Sequence, residues 1–332
     1  MVTRRALVVG GAGYIGAHMV KHLLDGGWRV ASFDNLSRGH RDAILGGRFI
    51  EGDLRDAHAI KAAVASDDFD VVFHFAALAY VGESVLQPAN YYQNNLVGTL
   101  NLLEALREIK LATLVFSSSC AVYGDAVALP ISEAHPQCPV NPYGNSKLAC
   151  ERAIADYAAA YGLRAACLRY FNAAGAAREK NLAERHEPET HLIPLVLAEA
   201  RRVLRGGARE ASALRVFGTD FDTPDGTCVR DYVHVEDLCD AHLRAAELLL
   251  DAAPGAHEAY NLGTGAGISV AQVISTARAI TGVDFDYRRA PRRPGDPATL
   301  IASCERAKQA LGWEPEASDL ETILTSAWRT LR

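Results

Sequence analysis

No stretch of the 332-residue sequence approaches the roughly 18 consecutive apolar residues that cross a bilayer, so no membrane partner is expected. Between Met1 and Gly10 the longest apolar run is Ala6–Val9, too short for a signal-peptide core. Cys-x-x-Cys pairs are missing. The seven cysteines (Cys120, Cys138, Cys150, Cys167, Cys228, Cys239 and Cys304) are scattered, which excludes a zinc ribbon or a disulfide scaffold and suits reduced thiols in a cytoplasmic protein. Sequence repeats of 20–50 residues are lacking, so a solenoid is excluded. Positive charge is not in excess. The net charge of −6 argues against nucleic-acid or anionic-membrane partners. Lysine is scarce: of 34 basic residues only Lys21, Lys61, Lys110, Lys147, Lys180 and Lys308 are lysines, so a lysine inside a motif carries weight.

What remains is ordinary globular composition, 49% hydrophobic and 22% charged, enough for about two domains. Short apolar runs at Ala6–Val9, Val30–Phe33, Arg48–Ile50, Val71–Phe75, Thr113–Phe116 and Ala165–Arg169 read as strands buried on both faces. Helical patterns at Ile15–Asp25, Ala57–Ala65, Tyr91–Glu108 and Tyr143–Tyr161 alternate with them. That alternation predicts an α/β fold with a doubly wound parallel sheet of Rossmann type. After Asn172 the texture changes: Ala177–His191 is polar and irregular, and helices resume at Leu192–Leu204, Glu236–Leu250 and Val270–Thr281. Ser269 with Gln272, and Ser318 with Glu321, have capping-box spacing. The reading is a nucleotide-binding domain over 1–174 and a smaller α/β substrate domain over 175–332. Segments near 229–262, notably Val229–Val235 and Ala259–Leu262, are expected to return to the large domain.

Gly10, Gly11, Gly13 and Gly16 follow a strand and open a helix. Glycines there permit a tight turn and close approach to a pyrophosphate, which the helix N-terminus then favours. Asp34 ends the second strand, 18 residues after Gly16. A carboxylate at that place accepts from a ribose 2′-hydroxyl and repels a 2′-phosphate, favouring NAD over NADP. Arg38 and Arg41 are the counter-evidence, since a nearby arginine pairs well with a 2′-phosphate. Asp53 follows the third strand, where it can meet an adenine amino group. Phe75, Ala76 and Ala77 end the fourth with side chains small enough, after Phe75, to let a cofactor lie on the backbone.

Asn141 and Pro142 mark a helix start as N-cap and first helical residue. Tyr143 and Lys147 follow at i and i+4, on one face. A phenolate base at neutral pH requires the phenol to fall about three pH units from 10, roughly 4 kcal/mol. Lys147, the helix N-terminus and an oxidised nicotinamide all push that way. Ser119, after the fifth strand, is placed to hydrogen-bond a reacting hydroxyl and relay its proton to Tyr143. The catalytic set is therefore Ser119, Tyr143 and Lys147.

The glycine loop, Asp34, Asp53, the serine turn and Tyr143-x-x-x-Lys147 resemble the extended short-chain dehydrogenase/reductase superfamily. The runs Arg169–Asn172, Val229–Val235 and Ala290–Asp296 narrow that to the nucleotide-sugar epimerases, most closely the UDP-glucose 4-epimerase family, over nearly the whole chain. The resemblance implies tightly bound NAD, transiently reduced while a UDP-hexose passes through a 4-keto intermediate and is inverted at C4. It adds Tyr14, Ile15, Asn35, Leu54, Leu78, Asn94, Ser117 and Phe171 to the cofactor contacts. On the UDP-sugar side it implies Ser119, Tyr143, Asn172, His191 and Leu192, with Phe217 against uracil, Arg230 and Arg293 on the diphosphate, and Asp296 on the uridine ribose. It further implies a homodimer built from the helices at Tyr91–Glu108 and Tyr143–Tyr161.

Three positions depart from the pattern. Ala79 stands where some members have lysine, and His191 where some have asparagine. Leu300 stands where some have a bulky tyrosine beside the sugar 2-substituent, so N-acetylated UDP-hexoses are expected to be admitted. Of the basic group Arg288, Arg289, Arg292 and Arg293, one or two are expected to be a solvated face. His186–His191 misses H-E-x-x-H by one residue and is interrupted by Pro188, so no metal is assigned. Cys120 and Ala121 after Ser119 leave a 4,6-dehydratase without its acid/base pair. A 4-epimerase of UDP-xylose/arabinose or UDP-glucuronate, and a non-catalytic NAD-sensing regulator, remain open as alternatives.

Overall fold

Along strand β1 (Arg5–Val9) alternate side chains enter different cores. Ala6 and Val8 join one apolar cluster, Leu7 and Val9 another. A strand apolar on both faces must be covered on both, and helices do the covering. A computed structural model of the chain describes residues 3–110, 112–177, 182–293 and 296–331. Pro294 and Gly295 of the Ala290–Asp296 run, and 178–181 of the polar stretch, lie outside the described residues, as does Lys180.

The large sheet adds β2 (Arg29–Asp34), β3 (Arg48–Glu51), β4 (Val71–His74), β5 (Thr113–Ser117) and β6 (Arg164–Tyr170). With the strand His257–Leu262 it has seven strands, ordered His257–Leu262, β6, β5, β4, β1, β2, β3 and parallel throughout. The chain winds outward from β1 through β2 to β3, then returns to the other side of β1 with β4. The carboxyl ends of β1 and β4 therefore flank the point where the winding reverses, the usual ligand crevice of such sheets.

Helix α1 (Tyr14–Asp25) packs on one face of the sheet. Helices α2 (Ala57–Val64), α5 (Gly98–Ile109) and α6 (Pro142–Tyr161) cover the other. Between α2 and α5 run the short α3 (Val81–Leu86) and α4 (Pro88–Tyr91). The pattern read as one helix over Tyr91–Glu108 begins at Pro88 and contains a π-helical turn at Tyr92–Val97. Later come α7 (Leu192–Leu204), α8 (Val235–Leu250), α9 (Val270–Thr281), α10 (Glu305–Leu311) and α11 (Leu320–Leu331). A third apolar cluster, with Ile193, Val196, Leu197, Val273, Ile274, Ile323 and Trp328, joins α7, α9 and α11 away from the large sheet.

The segment near 229–262 divides. Helix α8 packs against α1, β5 and β6, and His257–Leu262 extends the large sheet beside β6. Val229–Arg230 and Tyr232–His234 do not join that sheet. Tyr232–His234 pairs with Asn172–Ala174, and Val229–Arg230 pairs with Ile268–Ser269 and Thr299–Leu300. Buried Asp231 between them takes Thr264, Gly265 and Ala302 backbone N–H groups, which fastens this segment to loops rather than to a sheet edge.

The Ser269–Gln272 capping box forms as its spacing predicts. Ser318 does not cap the last helix. Its hydroxyl is taken by Asp237 and by the His234 N–H, and Asp319 accepts from Thr322 N–H at the start of α11. The nearer carboxylate wins that end of the helix. All seven cysteines are free thiols.

Candidate active site

The turn after β1 is built by sterics. Gly10 has φ +86°, and a Cβ there would strike the backbone of Ala76 after β4. Gly16 is excluded from any larger residue by the Gly10 carbonyl. Two strand ends and a helix are thus brought to backbone contact. The N-terminus of α1 has no side-chain cap and no acidic residue in its first turn. Its free N–H groups and positive dipole end face the crevice, a fit for a diphosphate.

Asp34 is nearly buried, accepting from Ala12 N–H at 3.0 Å and Leu36 N–H at 2.8 Å. Burial pushes its pKa up and those N–H groups pull it back. A cavity at this point is lined by Gly10, Gly13, Asp34, Asn35, Leu54, Phe75, Ala76, Ala77, Leu78 and Asn94, all anticipated from the sequence. Phe33, Ser37, Arg38, Gly39 and Gly52 line it too and were not among the expected contacts.

Asp53 is not in that lining. Its carboxylate is held by Arg55 and by Asn35, with Arg55 keeping it well below the usual carboxylate range. Tyr14, Ile15, Gly16, Ser117, Tyr143, Lys147 and Phe171 also stand outside the lining. Tyr14 donates to the Gly175 carbonyl at 2.6 Å, while Ile15 and Phe171 pack in the core. The arginines weighed for a 2′-phosphate are engaged. Arg38 donates to the Glu187 carbonyl and pairs with Glu83, and Arg41 lies over the Phe49 ring at 3.9 Å. The cradle therefore suits NAD without a 2′-phosphate.

Helix α6 starts as its sequence predicts. Asn141 caps Gly144 N–H at 2.9 Å and Pro142 follows. Tyr143, Lys147 and Glu151 then share one face, at i, i+4 and i+8. The Ser119 hydroxyl accepts from Ala121 N–H at 3.2 Å and stands near enough to the Tyr143 phenol to lower its pKa. Lys147 is buried and donates to the Ser117 carbonyl at 2.7 Å, with its ammonium over Phe116.

The electrostatics correct one expectation. Burial pushes the Tyr143 phenol up to about 12, only partly offset by Ser119, and Lys147 is not among the groups acting on it. Burial also lowers Lys147 to about 8. The protein alone thus keeps Tyr143 protonated. The chain's own groups hold the acid and base in place, and positive charge arriving beside them is needed to release the proton.

On the opposite wall, Asn172 Nδ2 donates to the Asp231 carbonyl at 2.9 Å. His191 precedes α7, and Leu192 is its first residue, half-buried against the third cluster. Phe217 ends the strand Arg215–Phe217, with the Arg293 guanidinium 4.1 Å from its ring centroid. Arg230 pairs with Asp296, so groups expected on diphosphate and ribose meet each other here. Leu300 stands opposite Arg230 in the register of Thr299–Leu300 against Val229–Arg230. Of the four clustered arginines, Arg292 covers Phe221 and pairs with Asp220, while Arg288 and Arg289 are exposed.

The sequence profile of the NAD dependent epimerase/dehydratase family matches residues 6–263. The chain belongs to that family. A UDP-glucose 4-epimerase of Halalkalibacterium halodurans is 48% identical over 97% of this chain and 94% of its own length. The crystal structure of UDP-glucose 4-epimerase from Brucella ovis in complex with NAD superposes with a TM-score of 0.93 at 46% identity, covering 98% of both chains. That of Bifidobacterium longum, in complex with NAD+ and UDP, gives 0.88 at 37% identity and 98% of both.

This NAD-dependent epimerase also uses residues that motif reading missed. Asn95, buried in the π-helical turn, bonds both the N–H and the carbonyl of Leu78 and reaches the Ser146 hydroxyl. It ties the cavity wall after β4 to the helix carrying Tyr143. Glu151 pairs with Arg169 and accepts from Ser118 at 2.5 Å, both partners buried. Its signal was present in the stripe Tyr143–Lys147–Glu151. Asn95 had none, because a π turn shifts the helical register that pattern reading assumes.

Proposed function

We propose that this chain is a UDP-glucose 4-epimerase, interconverting UDP-galactose and UDP-glucose in a cytoplasmic homodimer. The observation that carries the reading is the Ser119 hydroxyl close to the Tyr143 phenol, with Lys147 one turn along the same helix and bonded to the Ser117 carbonyl at the end of β5. A cavity with the lining of a dinucleotide cradle opens at the ends of β1 and β4 of the same sheet. NAD, when bound, supplies a reversible hydride acceptor.

Tyr143 takes the proton of the sugar 4-hydroxyl through or beside Ser119 while the C4 hydride would pass to NAD; after the 4-keto sugar has turned, the hydride would return to the opposite face of C4 and Tyr143 gives the proton back to O4. Lys147 is assigned to the nicotinamide ribose, and NAD, when bound, would bring the positive charge that the phenolate needs. Gly10, Gly13, Tyr14, Ile15, Gly16, Asp34, Asn35, Asp53, Leu54, Phe75–Leu78, Asn94, Ser117 and Phe171 are assigned to the cofactor side. Asp53 acts there through Asn35, to which it is bonded. Asn172, His191, Leu192, Phe217, Arg230, Arg293, Asp296 and Leu300 are assigned to the UDP-sugar. Arg230 and Asp296 form an ion pair with each other, so both groups assigned to the UDP moiety lie side by side. The division into domains is kept at 174/175, with α8 and the strand His257–Leu262 returning to the large sheet and the third apolar cluster forming the core of the smaller domain.

One feature supports the homodimer. Helices α5 and α6 pack together, and the pair exposes Tyr161 at the end of α6, a surface for a second copy. No described helix is long and apolar enough to cross a membrane. The test of function is NMR of UDP-galactose incubated with purified protein and no added cofactor. UDP-glucose is expected to appear, and Tyr143→Phe to lower its rate by about 10³-fold or more. NAD bound without turnover would favour a regulator, and turnover only of pentose or uronate nucleotides would favour a sister epimerase.

A further inference from the structure

The polar loop leading into α7 gathers four metal-ligating side chains. Glu184, His186, Glu189 and His191 place one donor atom each within 4.8 Å of all the others. His186 Nδ1 stands 3.1 Å from Glu184 Oε1 and 3.6 Å from Glu189 Oε2. His191 Nδ1 stands 2.8 Å from Glu184 Oε1 and 2.9 Å from Glu189 Oε1. A tetrahedron with metal–ligand bonds of about 2.0–2.1 Å has edges of about 3.3–3.4 Å. The His186 separations straddle that edge, while His191 Nδ1, hydrogen-bonded to Glu189 Oε1, stands inside it and must give up that bond to a cation.

We propose that these four residues bind one zinc-class divalent cation as a structural clamp, in which the His191 ring serves the cation rather than the UDP-sugar. The donor chemistry suits it. Two neutral imidazoles and two carboxylates balance a dication, and imidazole favours zinc-like ions over magnesium or calcium. Four protein donors complete a tetrahedron, which marks a structural rather than a catalytic site. A second observation points the same way. His186 Nδ1 is enclosed, yet despite its nearness to two carboxylates it makes no hydrogen bond of acceptable geometry among the described residues. A cation between the donors satisfies it where a proton does not. The rings of Tyr14 and Tyr80 stand edge-on to His186 and shield that side.

The helical H-E-x-x-H arrangement rejected on spacing is indeed not formed. The ligands instead come from an irregular loop, at spacings no helix motif describes. The clamp's position gives it a task. Arg185 pairs with Asp42, and Arg38 reaches the Glu187 carbonyl, so the loop is laced to the segment after β2 that lines the cofactor cavity. Its other end is His191, at the start of α7. A bound cation joins the cofactor loop to the substrate-side helix.

The test uses the intact holoenzyme, treated with chelator and then titrated with zinc alone. One equivalent per chain is expected, and His186→Gln or Glu184→Gln is expected to weaken it about 100-fold or more while leaving bound NAD unchanged. Cobalt should give the visible spectrum of a tetrahedral nitrogen/oxygen site. Absence of stoichiometric zinc, equal affinity in both variants, or a thiolate-to-cobalt charge-transfer band from the cysteines overturns the assignment.

Discussion

Lys147 directs its ammonium at the carbonyl oxygen of Ser117, 2.7 Å away, from inside the protein. A buried cation is expensive unless partners compensate it, and this one has a carbonyl and the face of Phe116. Function and stability therefore pull in opposite directions at this residue.

Burial lowers Lys147 from 10.5 to about 8, which corresponds to about 3 kcal/mol against the charged folded form. Between about pH 8 and 10.5 the unfolded chain binds more protons than the folded one, so stability rises with pH across that window. Below pH 8 the penalty is fully present. Lys147→Met is accordingly expected to be more stable than wild type at pH 7, by about 1–3 kcal/mol. That gap should close by pH 10.5, and epimerisation should be lost. Urea midpoints at pH 7 and pH 10 check the sign. A gap that does not change with pH would mean that burial is not what lowers this lysine.

Ser119 lowers the phenol that burial has raised to about 12. Ser119→Ala removes the downward pull that Ser119 exerts, so the phenol rises further and less phenolate is present at any pH. The acidic limb of the kcat/KM profile should then move to higher pH. The rate at pH 7 should fall about 10²-fold, less than for Tyr143→Phe. An unshifted limb with a lowered rate would assign Ser119 to positioning the sugar alone.

Glu151 and Arg169 form an ion pair with both side chains almost wholly buried, and Arg169 also donates to the Tyr123 hydroxyl at 2.9 Å. The pair ties α6 to β6 behind the catalytic face. Glu151→Ala strands a buried guanidinium and should cost about 3–5 kcal/mol, read as a lowered denaturation midpoint. Because Ser118, one residue before Ser119, loses its acceptor too, kcat should fall more than KM changes. The double variant Glu151→Leu/Arg169→Met should recover much of the stability and little of the rate.

Much of the site was legible because its glycines, its Asn141–Pro142 helix start and its Tyr143–Lys147 spacing are local signals, each tied to one turn of backbone. The six strands of the first half were legible for a similar reason: each is a short apolar run that the sheet buries on both faces. What escaped was non-local. The Arg230–Asp296 pair spans 66 residues, and Ser318 lost its expected capping role to Asp237, 81 residues away. The rise in the Tyr143 pKa escaped as well, because motif spacing places a lysine on the same face but says nothing of how deeply both are buried.

Leu300 tests how far the sugar pocket extends. Its strand runs beside Val229–Arg230, which puts residue 300 next to the arginine assigned to the diphosphate, half-buried at the edge of the first apolar cluster. A leucine leaves space that a tyrosine would fill, and an N-acetyl group at sugar C2 needs that space. Wild type is therefore expected to epimerise UDP-GlcNAc as well as UDP-glucose. Leu300→Tyr should cut the N-acetyl activity at least about tenfold, the scale on which a pocket discriminates by volume. It should leave UDP-glucose turnover within about twofold, since the catalytic pair is untouched. Coupled assays on both nucleotides, run on both proteins, separate the outcomes. Equal losses on the two sugars would show that residue 300 shapes the whole site, and no wild-type turnover of UDP-GlcNAc would remove the enlarged pocket altogether.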